Sequence, residues 1–152
     1  MTFNQLLKER ASDILAAAYT AMSRAHLPSY ETTGAVPTQQ RVKTLYELTQ
    51  RCVAERNFTP MRIHAKTIAT ERFESGFDLW EVQTAFNVLE EAIWRRILQE
   101  LSPTEFAEAL SLVSTVLGAG KDTLARTYVT LASKTHAPTL NIQSLFAGTE
   151  GK

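Results

Sequence analysis

One cysteine, Cys52, stands in 152 residues. No internal disulfide can form from it, and nothing in the chain asks for an oxidising compartment. Neither sign of charge is in excess, since 16 Lys plus Arg balance 16 Asp plus Glu. The basic stripe that attracts nucleic acid or an anionic lipid surface is therefore missing. Long apolar runs are missing as well. "ILAAAYTAM", downstream of Lys8 and Arg10, comes nearest to a secretory apolar segment, but Asp13 breaks it and helical periodicity explains it better. No stretch reaches the ~18 apolar residues of a membrane span. Period-two alternation bounded by turns is absent too, so no strand is predicted. These absences leave an expectation of a helical protein in a reducing cytoplasm, with neither nucleic acid nor membrane as partner. At this length folding hides roughly 68–70% of the surface of the unfolded chain, enough for one continuous core without staples.

What is present is helical periodicity. Phe3, Leu7, Ala11, Ile14, Ala18 and Met22 recur at steps of three and four, which predicts one helix from Thr2, its N-cap, to His26. "LPSYETTGAVP" gathers Pro28, Gly34 and Pro37 and reads as a long loop. From Thr38 a second helix turns Val42, Leu45, Tyr46, Leu48, Cys52 and Val53 inward and stops at "RNFTP", with Asn57 able to cap it. Thr59 then caps a third helix with Pro60 at its first position. That helix is expected to bury from among Ile63, Ala65, Ile68, Ala69 and Phe73 and to end at Gly76, which tolerates the left-handed conformation of a C-terminal cap.

Asp78 follows as an N-cap with Glu81 three residues on, the spacing of a capping box. A fourth helix carries the clearest stripe of the chain, Leu79, Val82, Phe86, Leu89, Ile93 and Ile97. Ser102, Pro103 and Glu105 repeat the cap device and open a fifth helix, which turns Phe106, Leu110, Val113, Leu117, Leu124, Tyr128 and Leu131 inward and which Pro138 closes. The predicted fold is all-α: a single-domain antiparallel bundle of about five helices over residues 1–137. Residues 138–152 form a tail whose Leu140, Ile142, Leu145 and Phe146 either fold back on the bundle or dock on another chain.

Few of the polar residues assemble into chemistry. His26, His64 and His136 lie in different segments, no Glu-x-x-His pair exists for a di-iron bundle, and one cysteine rules out Cys/His zinc spacing. His26 and His136 suit helix C-termini. His64, beside Ile63, Ala65 and Ile68, is the best candidate for a single-ligand role, as an axial haem ligand in a globin-like bundle. "VLGAGKD" is no phosphate loop, because Thr115 stands where the first glycine belongs. Gly118 and Gly120 instead fit close helix approach or a kink. Glu90, Glu91, Arg95 and Arg96 are expected to be solvated. Arg72 and Glu81, a turn to either side of the Gly76–Asp78 corner, are expected to form a salt bridge, unless Arg72 holds an anionic ligand. Trp80 and Trp94 lie off the main stripe, where tryptophan closes a second core layer or anchors an interface.

The stretch "AKTIATERFESGFDLWEVQTAFNVLEEAIW", from Ala65 to Trp94, resembles the N-terminal helical domain of the RsbR-type proteins, co-antagonists of RsbT. These are stress-signalling proteins whose sensory N-terminal half precedes a STAS output domain. The positions that carry the resemblance are Ala69, Arg72, Gly76, Phe77, Leu79, Glu81, Val82, Ala85, Leu89, Ala92 and Trp94. The resemblance implies a sensory or regulatory module that is often dimeric and has no catalysis or cofactor of its own. With about 15 residues beyond the fifth helix and no output domain in the chain, the signal is expected to leave through a second copy or another signalling protein. Four groups of residues are thus singled out: the corner of Arg72, Gly76, Phe77, Asp78 and Glu81; the interface anchors Trp80 and Trp94; Leu145 and Phe146 in the tail; and His64 as the ligand contact of the globin-like alternative.

Overall fold

Thr2 opens the chain's first helix: its Oγ1 accepts from Gln5 N–H at 3.2 Å, while Gln5 Oε1 accepts from Thr2 N–H at 2.8 Å. The computed structural model describes residues 1–136, and among them are seven helices and no strand. These are α1 (Phe3–Glu9), α2 (Ala11–Arg24), α3 (Pro28–Thr33), α4 (Ala35–Glu55), α5 (Thr59–Glu74), α6 (Leu79–Glu100) and α7 (Pro103–His136). The all-α expectation holds, and the count of five is corrected to seven. Leu140, Ile142, Leu145, Phe146 and the Pro138 stop lie outside the described residues.

Both extra helices come from the N-terminal third. The single helix expected from Thr2 to His26 breaks at Arg10, which leaves helical geometry at φ −106° and ψ 15°. Its guanidinium is drawn instead to Glu100 at the far end of α6, with Nε 2.7 Å from Oε1. The break lets α1 pack against α4 and α6 together, with adjacent Leu6 and Leu7 both fully buried. The long loop expected after Leu27 is a helix as well. Pro28 takes the first helical position, where its missing N–H costs nothing, and Gly34 at φ 99° turns the chain directly into α4.

Two helix ends also differ from the expectation. Arg56, left-handed at φ 49°, ends α4 in place of Asn57. Asn57 instead accepts from Thr59 N–H through its side chain at 3.1 Å, so Thr59 is the first residue of α5 and Phe58 is its cap. On α5 the inward face is Met61, Ala65, Ile68, Ala69 and Arg72, while Ile63 points outward at 64% exposure.

The α6 stripe is as expected, with Val82, Phe86, Leu89, Ile93 and Ile97 buried and Leu79 half-buried. α7 packs along α5 and α6 and buries Val113, Leu117, Leu124 and Tyr128, while Phe106 and Leu110 are partly covered. Gly120 makes the close approach possible: a Cβ there would meet Phe86 Cε2 at 2.6 Å and Met61 Sδ at 3.0 Å. Gly118 has nothing within 4 Å. Glu90 is a further correction. It is not solvated but mostly covered, and accepts from Ser114 Oγ at 3.1 Å and Lys121 Nζ at 3.4 Å, joining α6 to α7. Glu91 and Arg95 form an exposed pair at 2.8 Å, and Arg96, partly covered, reaches Glu100 at 3.3 Å and Asp13 at 3.5 Å.

Candidate functional site

Four residues, Ser75 to Asp78, connect α5 to α6, and their sequence dictates the turn. Gly76 takes φ 85°, a conformation strained for any side chain, and the Phe77 N–H reaches back to the Arg72 carbonyl at 2.9 Å. Asp78 is extended, and its N–H donates to Glu81 Oε2 at 3.0 Å, so the capping box closes as its spacing predicts. Phe77 is thereby pushed inward. Its ring stands edge-to-face with Tyr30 of α3 at 4.9 Å, and its carbonyl accepts from Tyr128 of α7 at 3.0 Å.

The expected salt bridge across this corner does not form. Glu81, buried to 2% exposure, is occupied by Ser29, whose N–H donates to Oε1 at 2.8 Å and whose hydroxyl donates to Oε2 at 2.7 Å. Burial alone would push the Glu81 carboxyl up, but the hydrogen bonds from Ser29 and from Asp78 N–H outweigh it and hold it below its ordinary value. Arg72 lies at 7% exposure beside a different carboxylate, its Nη1 3.3 Å from Oε2 of its neighbour Glu71.

Arg72 faces a cavity of about 260 Å³ between α3, α4, α5 and α6. Arg41 of α4 faces it too, and the two guanidinium carbons lie 5.5 Å (Arg41) and 5.8 Å (Arg72) from the Phe77 ring centroid. Tyr30, Gln40, Thr44, His64 and Glu71 add to its polar wall, with Ile68, Val82, Ala85 and Phe86 among the apolar side chains. Burial, and then the Arg72 charge, push the His64 imidazole below its ordinary value. Burial likewise pushes the Arg41 guanidinium down, with the Arg72 charge acting in the same sense. The globin-like reading draws no support from this geometry. The volume falls below the ~300–1,000 Å³ of sites for drug-sized ligands and cofactors, and two guanidinium groups share the cavity with the imidazole. Among the described residues no group of three or more His, Cys, Asp or Glu side chains is placed to hold a metal ion.

Of the residues singled out from the sequence, the structure gathers Arg72 and His64 on one cavity, with the Phe77 ring against the Arg72 guanidinium and Gly76, Asp78 and Glu81 shaping the turn beside it. Trp80 and Trp94 lie elsewhere, on the outer face of α6, at 53% and 42% exposure. Neither closes a second core layer. Leu145 and Phe146 are outside the described residues. Sequence reasoning missed Ser29, Tyr30 and Arg41. The first two fell in a stretch read as loop, and Arg41 carries no local signal that separates it from a solvated helix arginine.

Fold and site together define a small all-α module whose polar chemistry is one buried cation, Arg72, and one half-buried cation, Arg41, beneath a helix corner. A family model described as the RsbT co-antagonist protein rsbRD N-terminal domain matches residues 13–136, and the chain belongs to this family of stress-signalling regulators. Comparisons with curated proteins and with solved structures return no match. The matched span takes in α3 to α7 and nearly all of α2, and leaves α1 outside it.

Proposed function

We propose that this chain is a non-catalytic regulatory module that acts through protein contact, assembled as a homodimer, and that its signalling partner is RsbT or a protein that works with RsbT. The family description supports the regulatory half of this reading, since co-antagonism is an effect exerted through another protein.

The outer face of α6 carries the other half. Trp80, Trp94 and Leu98 are all exposed there, at 53%, 42% and 54%. At about 100° per residue Trp80 and Leu98 point the same way, and Trp94 lies about 40° off. Two tryptophans ~21 Å apart along one helix face are well placed as the anchors of an interface. The spacing is also self-complementary. With α6 laid antiparallel on a second α6 about Asn87, Trp80 of each copy meets Trp94 of the other, as a two-fold interface requires.

Cysteine cross-linking tests this arrangement. Asn87 is exposed at the axis and the native Cys52 is buried, so Asn87→Cys should give a covalent dimer under mild oxidation. Thr67→Cys, exposed on α5, should stay monomeric on a non-reducing gel. Equal cross-linking of both, or of neither, contradicts the α6 arrangement.

A further inference from the structure

Two guanidinium groups face one cavity, and each keeps one buried nitrogen without an acceptor. Arg72 Nε and Arg41 Nη1 are both buried and both lack a hydrogen-bond partner. Buried polar groups in folded proteins are nearly always satisfied, and those that are not mark strain, a redox or catalytic role, or a place for a water, an ion or a ligand. The carboxylate that reaches this pair is Glu71, on the rim and largely exposed, and it engages Arg72 through Nη1 rather than Nε. Glu81, close by in sequence, has its oxygens occupied by Ser29 and Asp78. Two cations therefore share one anion at the mouth of the cavity.

The remaining wall is mostly hydrocarbon, from Ile68, Val82, Ala85 and Phe86. A bare anion would leave that surface uncovered, and a neutral apolar molecule would leave Arg41 Nη1 and Arg72 Nε without an acceptor. We infer that the cavity binds a small organic carboxylate, its head between Arg41 and Arg72 and a compact apolar body against Ile68, Val82 and Ala85. The planar donor fork of arginine matches a carboxylate in shape as well as charge. The site draws on α4, α5 and α6, with Tyr30 of α3 beside it, so an occupant ties α4 to the α5–α6 corner and thereby to the helix that bears Trp80 and Trp94. This inference does not rest on the dimer.

The test uses the full chain, isotope-labelled on nitrogen, with the arginine Nε–H resonances followed during titration. Hexanoate and benzoate supply head and body, inorganic phosphate supplies charge without the body, and hexanol supplies the body without charge. Both carboxylates should shift the Arg72 Nε–H resonance saturably. Phosphate and hexanol should bind ~tenfold or more weakly, and Arg41→Met should weaken hexanoate by a similar factor, the loss of one charge-assisted hydrogen bond. Arg41→Lys, which keeps the charge and loses the fork, gives the same reading should Arg41→Met fail to fold. No saturable shift with either carboxylate overturns the inference. So does binding of phosphate or hexanol as tight as that of hexanoate, or hexanoate binding indifferent to both Arg41 variants.

Discussion

Ser29 and Glu81, 52 residues apart, hold each other through two hydrogen bonds, 2.8 Å from the serine N–H and 2.7 Å from its hydroxyl. Together with the Asp78 N–H at 3.0 Å, they make one carboxylate the tie between α3 and the corner that starts α6. They also take that carboxylate away from Arg72. Glu81→Ala should cost ~2–3 kcal/mol, because the lost bonds, from partly covered donors, are to a charge. Ser29→Ala keeps the backbone donor and should cost ~1–2 kcal/mol. Urea unfolding followed by circular dichroism measures both.

The same carboxylate gives the fold an acid limit. Its folded-state pKa is depressed, since the hydrogen bonds it accepts outweigh burial. A depressed carboxyl stabilises the fold fully above its unfolded pKa of ~4.3, and that contribution is lost as pH falls through the lower folded value. The urea midpoint should therefore fall more steeply below about pH 4 in the natural chain than in Glu81→Gln, whose side chain does not titrate.

Gly120 and Gly118 make a matched pair on α7. Gly120→Ala places a Cβ 2.6 Å from Phe86 Cε2 and should destabilise by ~1–3 kcal/mol through overpacking. Gly118→Ala meets nothing within 4 Å and should stabilise by ~0.5–1 kcal/mol, the ordinary gain of alanine over glycine inside a helix. Thermal melts of the two variants should move in opposite directions.

α1, outside the family match, is fastened by Tyr46 of α4, whose buried hydroxyl donates to the Leu7 carbonyl. Burial pushes the Tyr46 phenol far up, so it remains a donor across the range of ordinary buffers. Tyr46→Phe should cost ~1 kcal/mol, and amide exchange should show the loss concentrated in α1 rather than spread over α5 to α7.

The corner was legible in sequence because its causes are local. Glycine at a positive φ and an Asp with Glu three residues on leave marks within six positions, and the stripe of α6 repeats over six turns. The Arg10 break left no such mark, since Phe3, Leu7, Ala11 and Ile14 keep helical spacing across it and the Glu100 that Arg10 pairs with is 90 residues away. α3 was hidden because Pro28 and Gly34 are loop residues by composition and helix boundaries by position. The Arg72–Glu81 pairing failed for a related reason: proximity in sequence was visible, and the competing Ser29 was not. The cavity joins Arg41 to Arg72 across 31 positions, a juxtaposition that only the folded chain makes.

The central claim is that the exposed tryptophans of α6 join two copies of the chain. Light scattering on the eluting protein measures this most directly. The natural chain should give twice the 17.0 kDa of one copy, and Trp94→Ala, at matched concentration and with an unchanged helical spectrum, should shift toward 17.0 kDa. A natural chain that stays at the mass of one copy as its concentration is raised, or a Trp94→Ala variant as dimeric as its parent, would contradict it.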